Sequence, residues 1–150
     1  MKIAVRQATP DDLPAVLGLY AQPDMDSGQT LSIDKAQKLL AEFASYPNYR
    51  LFVACDEDEG GAVVGSYALL IMHNLAHCGA ASAIAEDVVV VPNRQGQGIG
   101  RRMMIHAIEQ ARLAGCYKLA LSSDRKRHAA HAFYESLGFA RHGLSFLIEP

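Results

Sequence analysis

The order of elements along the chain predicts a mixed β-sheet with helices packed on it, an α/β (α+β) class. Two observations carry that prediction. Apolar segments with strand character alternate with amphipathic helical segments in the order β-α-α-β-β-β-α-β-α-β-β. One strand then ends in Val88-Val89-Val90-Val91 and runs through a glycine-rich loop straight into a helix.

Each element has a local cause. Residues 2–8 alternate, with Ile3 and Val5 on one side. Thr9-Pro10-Asp11-Asp12 opens a helix, with Thr9 as N-cap, Pro10 in the first turn and two acids at the positive dipole end. Leu13, Val16, Leu17 and Tyr20 supply its apolar face. After a polar loop at 22–30, Ser32 caps a second helix with Ala36, Leu39, Leu40 and Phe43 on one face, and Pro47-Asn48 stops it. Residues 49–54 and 62–72 read as strands, joined by the acidic segment Asp56-Glu57-Asp58-Glu59-Gly60-Gly61 as a solvated hairpin turn. Residues 73–81 are loop or irregular strand, and 82–91 form a central strand buried on both faces. The helix at 99–114 presents Ile99, Met103, Ala107, Ile108 and Ala111, and Gly115 ends it. A strand at 117–121, a helix at 126–137 closed by Gly138, and strands at 139–140 and 144–148 complete the series.

Composition narrows the function. The 150 residues predict one domain over 1–150. Half are hydrophobic and 20% charged, as in a globular protein. Net charge is −2 and the isoelectric point near 6.3, which argues against a general nucleic-acid binder. No apolar run is long enough to span a membrane, and residues 1–6 lack a secretory h-region. Cys55, Cys78 and Cys116 are odd in number and widely spaced, which fits reduced thiols in the cytoplasm. Cys55 and Cys116 read as packing residues, and nothing beside Cys78 activates it as a nucleophile.

The informative segment is Arg94-Gln95-Gly96-Gln97-Gly98-Ile99-Gly100-Arg101-Arg102. Glycines let a backbone approach a ligand closely, and first-turn N–H groups have no intrahelical partner. Together with the helix dipole they make an anion site, for which a diphosphate is a natural guest. A nucleotide P-loop needs Lys-Ser or Lys-Thr after the last glycine, and none follows. A dinucleotide fingerprint needs G-x-G-x-x-G, and this loop has the wrong spacing. A turn that merely joins strand to helix is the remaining alternative.

The run from Gln95 through Gly98 to Gly100 resembles the Q/R-x-x-G-x-G/A signature of the GNAT superfamily of acyl-CoA-dependent N-acyltransferases. Downstream, Ala132-Phe133-Tyr134-Glu135-Ser136-Leu137-Gly138-Phe139 resembles the F-Y-E-x-L-G-F segment of the same superfamily. The resemblance implies a mixed, mostly antiparallel sheet splayed at its central strand, with flanking helices. It implies acetyl-CoA as acyl donor, its pyrophosphate on Arg94, Gln95, Gly96, Gln97, Gly98, Ile99, Gly100 and Arg101. Backbone of Val89, Val90 and Val91 would meet the pantetheine arm. Many members carry Asn seven residues before the motif tyrosine; this chain has Arg127 there, which with Arg125 and Lys126 would contact coenzyme phosphates or else face solvent. Leu121 to Tyr134 is similar to the aminoalkylphosphonate acetyltransferase branch, and Ile84 to Val90, offset by Ala85, resembles the I-E-D-V-V-V strand of hexosamine-phosphate acetyltransferases.

The implied reaction moves an acetyl group to an amine. An amine of pKa near 10.4 is about 3.4 units from its neutral form at pH 7, roughly 4.6 kcal/mol. A base offsets that cost, and an acid assists the leaving thiolate. By resemblance Tyr134 is the acid; a core-packing role is its alternative. Glu86 is the preferred base. Strand alternation places Asp87 on the opposite side, so one of the two faces the acceptor amine and either reads otherwise as a strand-edge ion pair. Asp87, His73 and His77 are read as lining the acceptor pocket. The His73-x-x-x-His77 spacing would suit a metal only on a helix, which this stretch does not resemble, so no metal is expected. Arg141 and His142 would suit an acceptor phosphate. The partners expected are acetyl-CoA and a small amine, with no nucleic acid and no membrane, in a homodimer by family habit. A peptide amine as acceptor, or a non-catalytic acyl-CoA sensor, are the competing readings.

Overall fold

Alternating apolar and polar residues at the start of the chain form an edge strand, β1 (Ile3–Gln7). The computed structural model describes residues 1–150, which divide into two units, Met1–Ala120 and Leu121–Pro150. In the first unit β1 is followed by α1 (Leu13–Tyr20), α2 (Ile33–Phe43), β2 (Tyr49–Asp56), β3 (Ala62–Met72), β4 (Ala81–Val90), α3 (Ile99–Leu113) and β5 (Cys116–Ala120). The second unit holds α4 (His128–Ser136).

The five strands lie in sequence order. Strands β1 to β4 pair antiparallel, and β5 joins β4 in parallel. This is the predicted mixed, mostly antiparallel sheet. The splay is visible in the register: β5 pairs with β4 only from Ala81 to Ile84, so β4 continues past Ala85 with no strand on that side. A bulge falls in the same place. Ser66 pairs with Val89 and Ala68 with Glu86, so Asp87 and Val88 together oppose Tyr67. Asp87 takes a left-handed φ of 53° to accommodate the extra residue.

Helices cover both faces. Val16 of α1 packs with Leu51, Val53, Cys55 and Ala68, with Leu40 and Phe43 at the margin. From α3, Ile99, Met103, Met104 and Ala107 are fully buried. Ile99, Met103 and Met104 each contribute about 1.5–3 kcal/mol of hydrophobic stabilisation, and Ala107 less. A 3-10 turn (Pro10–Asp12) precedes α1, where a helix beginning at Pro10 was expected. Asp12 explains it: its carboxylate is buried, accepts the Thr9 N–H at 2.7 Å and takes both Arg6 amino groups at 2.7 and 2.8 Å. These bonds lock the chain reversal after β1.

Four expectations are corrected. Leu39 and Ile108 are 45% and 40% exposed, because α2 and α3 bury narrower stripes than their apolar residues suggest. In the acidic hairpin Asp56 is 1% exposed, drawn inward by Arg94. β4 is not buried on both faces throughout: at the bulge Glu86 and Asp87 reach the surface, the Asp87 carboxyl remaining partly desolvated. In the second unit the strands expected at 139–140 and 144–148 do not form. A strand needs a neighbour to take its backbone hydrogen bonds, and no strand pairs with this segment. Leu144, Phe146, Leu147 and Ile148 stand 84–88% exposed.

Candidate functional site

The glycine-rich loop is built from backbone. Gly96 and Gly98 take φ of 76° and 85°, the left-handed region that residues with a Cβ disfavour. Gly98 is also the N-cap of α3. As a result none of the N–H groups from Gly96 to Arg101 makes a backbone hydrogen bond, and the first intrahelical bond is Arg102 N–H to the Gly98 carbonyl at 3.1 Å. Six consecutive unpaired donors at the positive end of a helix form an anion cradle. The exposed Arg101 and Arg102 add charge beside it. Gln95 and Gln97 turn back on their own backbone, to the carbonyls of Val90 and Asn93, both at 3.3 Å.

Arg94 is placed differently from the rest of the loop. Its guanidinium is only 16% exposed and donates to Asp56 at 2.5 Å, Glu59 at 3.1 Å and Gln97 at 3.1 Å. Of the three strand residues expected against the pantetheine arm, Val89 is buried in the core, and the Val90 carbonyl already accepts from Gln22 and Gln95. Val91 N–H goes to the Val64 carbonyl at 2.9 Å.

The second half of the site gathers at the β4 bulge. Burial pushes the Asp87 carboxyl above the ordinary aspartate range, and the charge of Asp26 adds to that. Tyr20, at the end of α1, is pushed up to about 12 by burial first and then by Asp87 and Asp26. Tyr49 is raised by burial and by the charges of both Asp87 and Glu86. Both carboxylates therefore bear on one phenol. The alternation that was to send Glu86 and Asp87 to opposite sides is broken by the bulge. The loop after α1 is tied over this region by the Gln22 amide donating to the Val90 carbonyl at 3.2 Å.

Tyr20, Asp26 and Tyr49 were not singled out from sequence as site residues. Tyr20 reads as one more apolar position on α1, and Asp26 as loop polarity. A bulge, the feature that assembles them, has no signature in the residues of β4. Tyr49 also borders a cavity of about 440 Å³ lined by Gln37, Leu40, Phe43 and Arg50, none of which belongs to the glycine loop or the bulge.

His73 and His77 are not brought to the bulge. They precede Ala81, and Asp87 lies six residue steps along the strand from Ala81, roughly 20 Å. His77 rests on the Tyr117 ring with centroids 4.4 Å apart.

In the second unit Tyr134 is half-buried on α4, flanked by Phe133 and Phe139 at 5.1 and 5.8 Å. Burial raises its phenol above the usual value, partly opposed by Arg127, so it holds its proton at neutral pH. Arg125, Lys126 and Arg127 are exposed at the start of α4. Arg141 pairs with Glu135 at 2.9 Å. All three cysteines are free; burial raises Cys55 and Cys116, which makes them poor nucleophiles.

Residues 15–139 match the model of the Acetyltransferase (GNAT) family. The chain is 40% identical to a glucosamine 6-phosphate N-acetyltransferase of Trypanosoma brucei brucei over 82 residues, 55% of this chain and 54% of that protein. The matched stretch thus spans about half the length of that relative. It is 32% identical to an aminoglycoside N(6')-acetyltransferase type 1 of Stenotrophomonas maltophilia over 141 residues, 90% of this chain and 84% of that one. A solved structure from Agrobacterium tumefaciens str. C58 superposes with a TM-score of 0.89 at 37% identity, covering 98% of this chain and 99% of that one.

Proposed function

The chain belongs to the acetyltransferase (GNAT) family, and from that membership we propose that it moves an acetyl group from acetyl-CoA to the primary amine of a small molecule, by direct attack in a ternary complex. The observation that carries the reading is the run of six unpaired N–H groups from Gly96 to Arg101 at the start of α3. It fits an anionic diphosphate and needs no side chain to do so. Arg101, with Arg102 beside it, supplies exposed positive charge for such a group. Bound acetyl-CoA would supply a thioester carbonyl and a thiolate leaving group.

The residues of the chain divide the proton work. The bulge carboxylates take the proton from the attacking amine. Asp87 is favoured over Glu86, since its charge bears on both Tyr20 and Tyr49 while that of Glu86 bears on Tyr49 alone. Tyr134 is the donor to the departing sulfur, on the likeness of its segment to the family motif and on a phenol that burial keeps protonated.

The surface around the β4 bulge carries Asp26, Glu86 and Asp87, and this favours an acceptor that is cationic as a whole, such as an aminoglycoside or polyamine. A phosphate- or phosphonate-bearing amine is the second reading, supported by the likeness to the glucosamine 6-phosphate enzyme. A panel of both kinds with acetyl-CoA, read as free thiol, tests the proposal. Turnover of any small amine supports it. Coenzyme binding without turnover of any small amine points instead to a peptide acceptor or to an acyl-CoA sensor.

A homodimer is proposed on the four large apolar side chains at 144, 146, 147 and 148 that stand in water in the single chain. Light scattering after gel filtration checks it, and a monomer at all concentrations contradicts it. A cytoplasmic location is proposed on three unpaired cysteines. No helix is long and apolar enough to cross a membrane.

A further inference from the structure

We propose that Asp56 and Arg94 form a brace that holds the glycine-rich loop in its anion-binding shape, so that Arg94 is a positioning residue and does not itself contact the coenzyme. The proposal rests on the reading of that loop as the diphosphate site.

Each of the three guanidinium nitrogens of Arg94 donates within the chain. One amino group donates to Asp56 Oδ2 at 2.5 Å, the other to Glu59 Oε2 at 3.1 Å, and Nε–H to Gln97 Oε1 at 3.1 Å. Asp56 is committed as well: its Oδ1 accepts the Asp58 N–H at 3.0 Å. The two partners are 2% and 16% exposed at their side chains, in contrast to the exposed loop beyond them. Gln97 passes the connection on, because its amide donates to the Asn93 carbonyl at 3.3 Å. The series Asp56, Arg94, Gln97, Asn93 therefore ties the far end of β2 to both ends of the bend at Gly96.

A lysine cannot replace this fork, since one ammonium does not reach three acceptors in one plane. Nor is Arg94 free to turn to a phosphate at little cost. Doing so would leave a buried carboxylate without its cation. The hairpin that carries Asp56 lies outside the family-like loop motif, and no local pattern in residues 91–102 reveals the partner.

The test compares Asp56→Asn with Arg94→Lys in the full-length protein, with melting followed by circular dichroism. A brace predicts that each variant raises KM for acetyl-CoA about tenfold. It predicts little change in kcat at saturation and no change in KM for acetylpantetheine, which lacks the diphosphate. The double variant is no worse than either single one. If Arg94 instead contacts the coenzyme, Asp56→Asn frees the guanidinium and binding holds or tightens; that result overturns the brace, as does a parallel rise in KM for acetylpantetheine. Amide hydrogen exchange at residues 96–101 gives an arm independent of the coenzyme. Exchange there is faster in Asp56→Asn if the brace holds the loop, and an unchanged rate overturns it. Failure of the unaltered protein to bind CoA would sink the loop's assignment, while the exchange arm still decides the brace.

Discussion

The glycine loop and the β4 bulge are the two halves of the proposed site, and they are made of different material. The loop is backbone, contiguous over six residues, and held open by left-handed glycines. The bulge region is side chain, drawn from the end of α1, the loop after it, the start of β2 and the middle of β4. The difference teaches where each kind of specificity comes from. A diphosphate is common to every reaction with this donor, and a fixed set of N–H groups suffices for it. An acceptor differs from enzyme to enzyme, and side chains from separate elements change independently.

That contrast is open to attack at several points. The largest effect expected is on kcat for Tyr134→Phe, a fall of about 100-fold, with the affinity for acetyl-CoA little altered. Equal loss of affinity would make Tyr134 part of the binding site instead. Next is Asp87→Asn, expected to lower kcat/KM for the amine by about 30-fold while leaving KM for acetyl-CoA alone. A base must be deprotonated to work, so activity of the unaltered enzyme falls as pH drops through the Asp87 pKa. That acid limb lies above the ordinary aspartate value of 3.8 because burial raises the group. In Asp87→Asn the limb disappears; persistence of the limb, with loss of it in Glu86→Gln, would transfer the role to Glu86.

Gly98→Ala tests the loop half. A side chain at φ 85° costs about 1–2 kcal/mol, so KM for acetyl-CoA rises about tenfold and KM for the amine stays put. Tyr20→Phe is smaller, a rise of about threefold in amine KM alone, the cost of one hydrogen bond. Movement of the acetyl-CoA KM in that variant would erase the boundary between the halves. The smallest effect on chemistry belongs to Asp12→Asn. The Arg6 fork lowers the Asp12 carboxyl to about 2, and a depressed folded-state pKa stabilises above the unfolded value and is lost as pH falls through the folded one. Asp12→Asn therefore loses about 1–2 kcal/mol at neutral pH, discounted for the half-exposed arginine, and matches the unaltered protein near pH 2. Neither KM moves.

The same contrast governs how much was legible in the sequence. Strands β1 to β5 and all four helices were placed within a few residues, because hydrophobic period and caps such as Ser32 act locally. The glycine loop was legible for the same reason: its donors, glycines and helix start are neighbours in the chain. Asp56 was not, since an acidic hairpin reads as solvated until Arg94, 38 residues away, draws it in. Tyr20, Asp26 and Tyr49 escaped because only the bulge brings them to Asp87, and one extra residue in a ladder leaves no mark on composition or period. The segment 144–148 is apolar as a strand is, yet the strand depends on a neighbour that the sequence does not specify.

The most direct test of the whole account is thiol release from acetyl-CoA with a panel holding an aminoglycoside, a polyamine, glucosamine 6-phosphate, an aminoalkylphosphonate and a peptide with a free N-terminus. The account predicts turnover of a small amine, fastest with the polycationic members, and a fall of about 30-fold in its kcat/KM in Asp87→Asn. Acetylation of the peptide alone, or no thiol release with any amine despite bound acetyl-CoA, would contradict it.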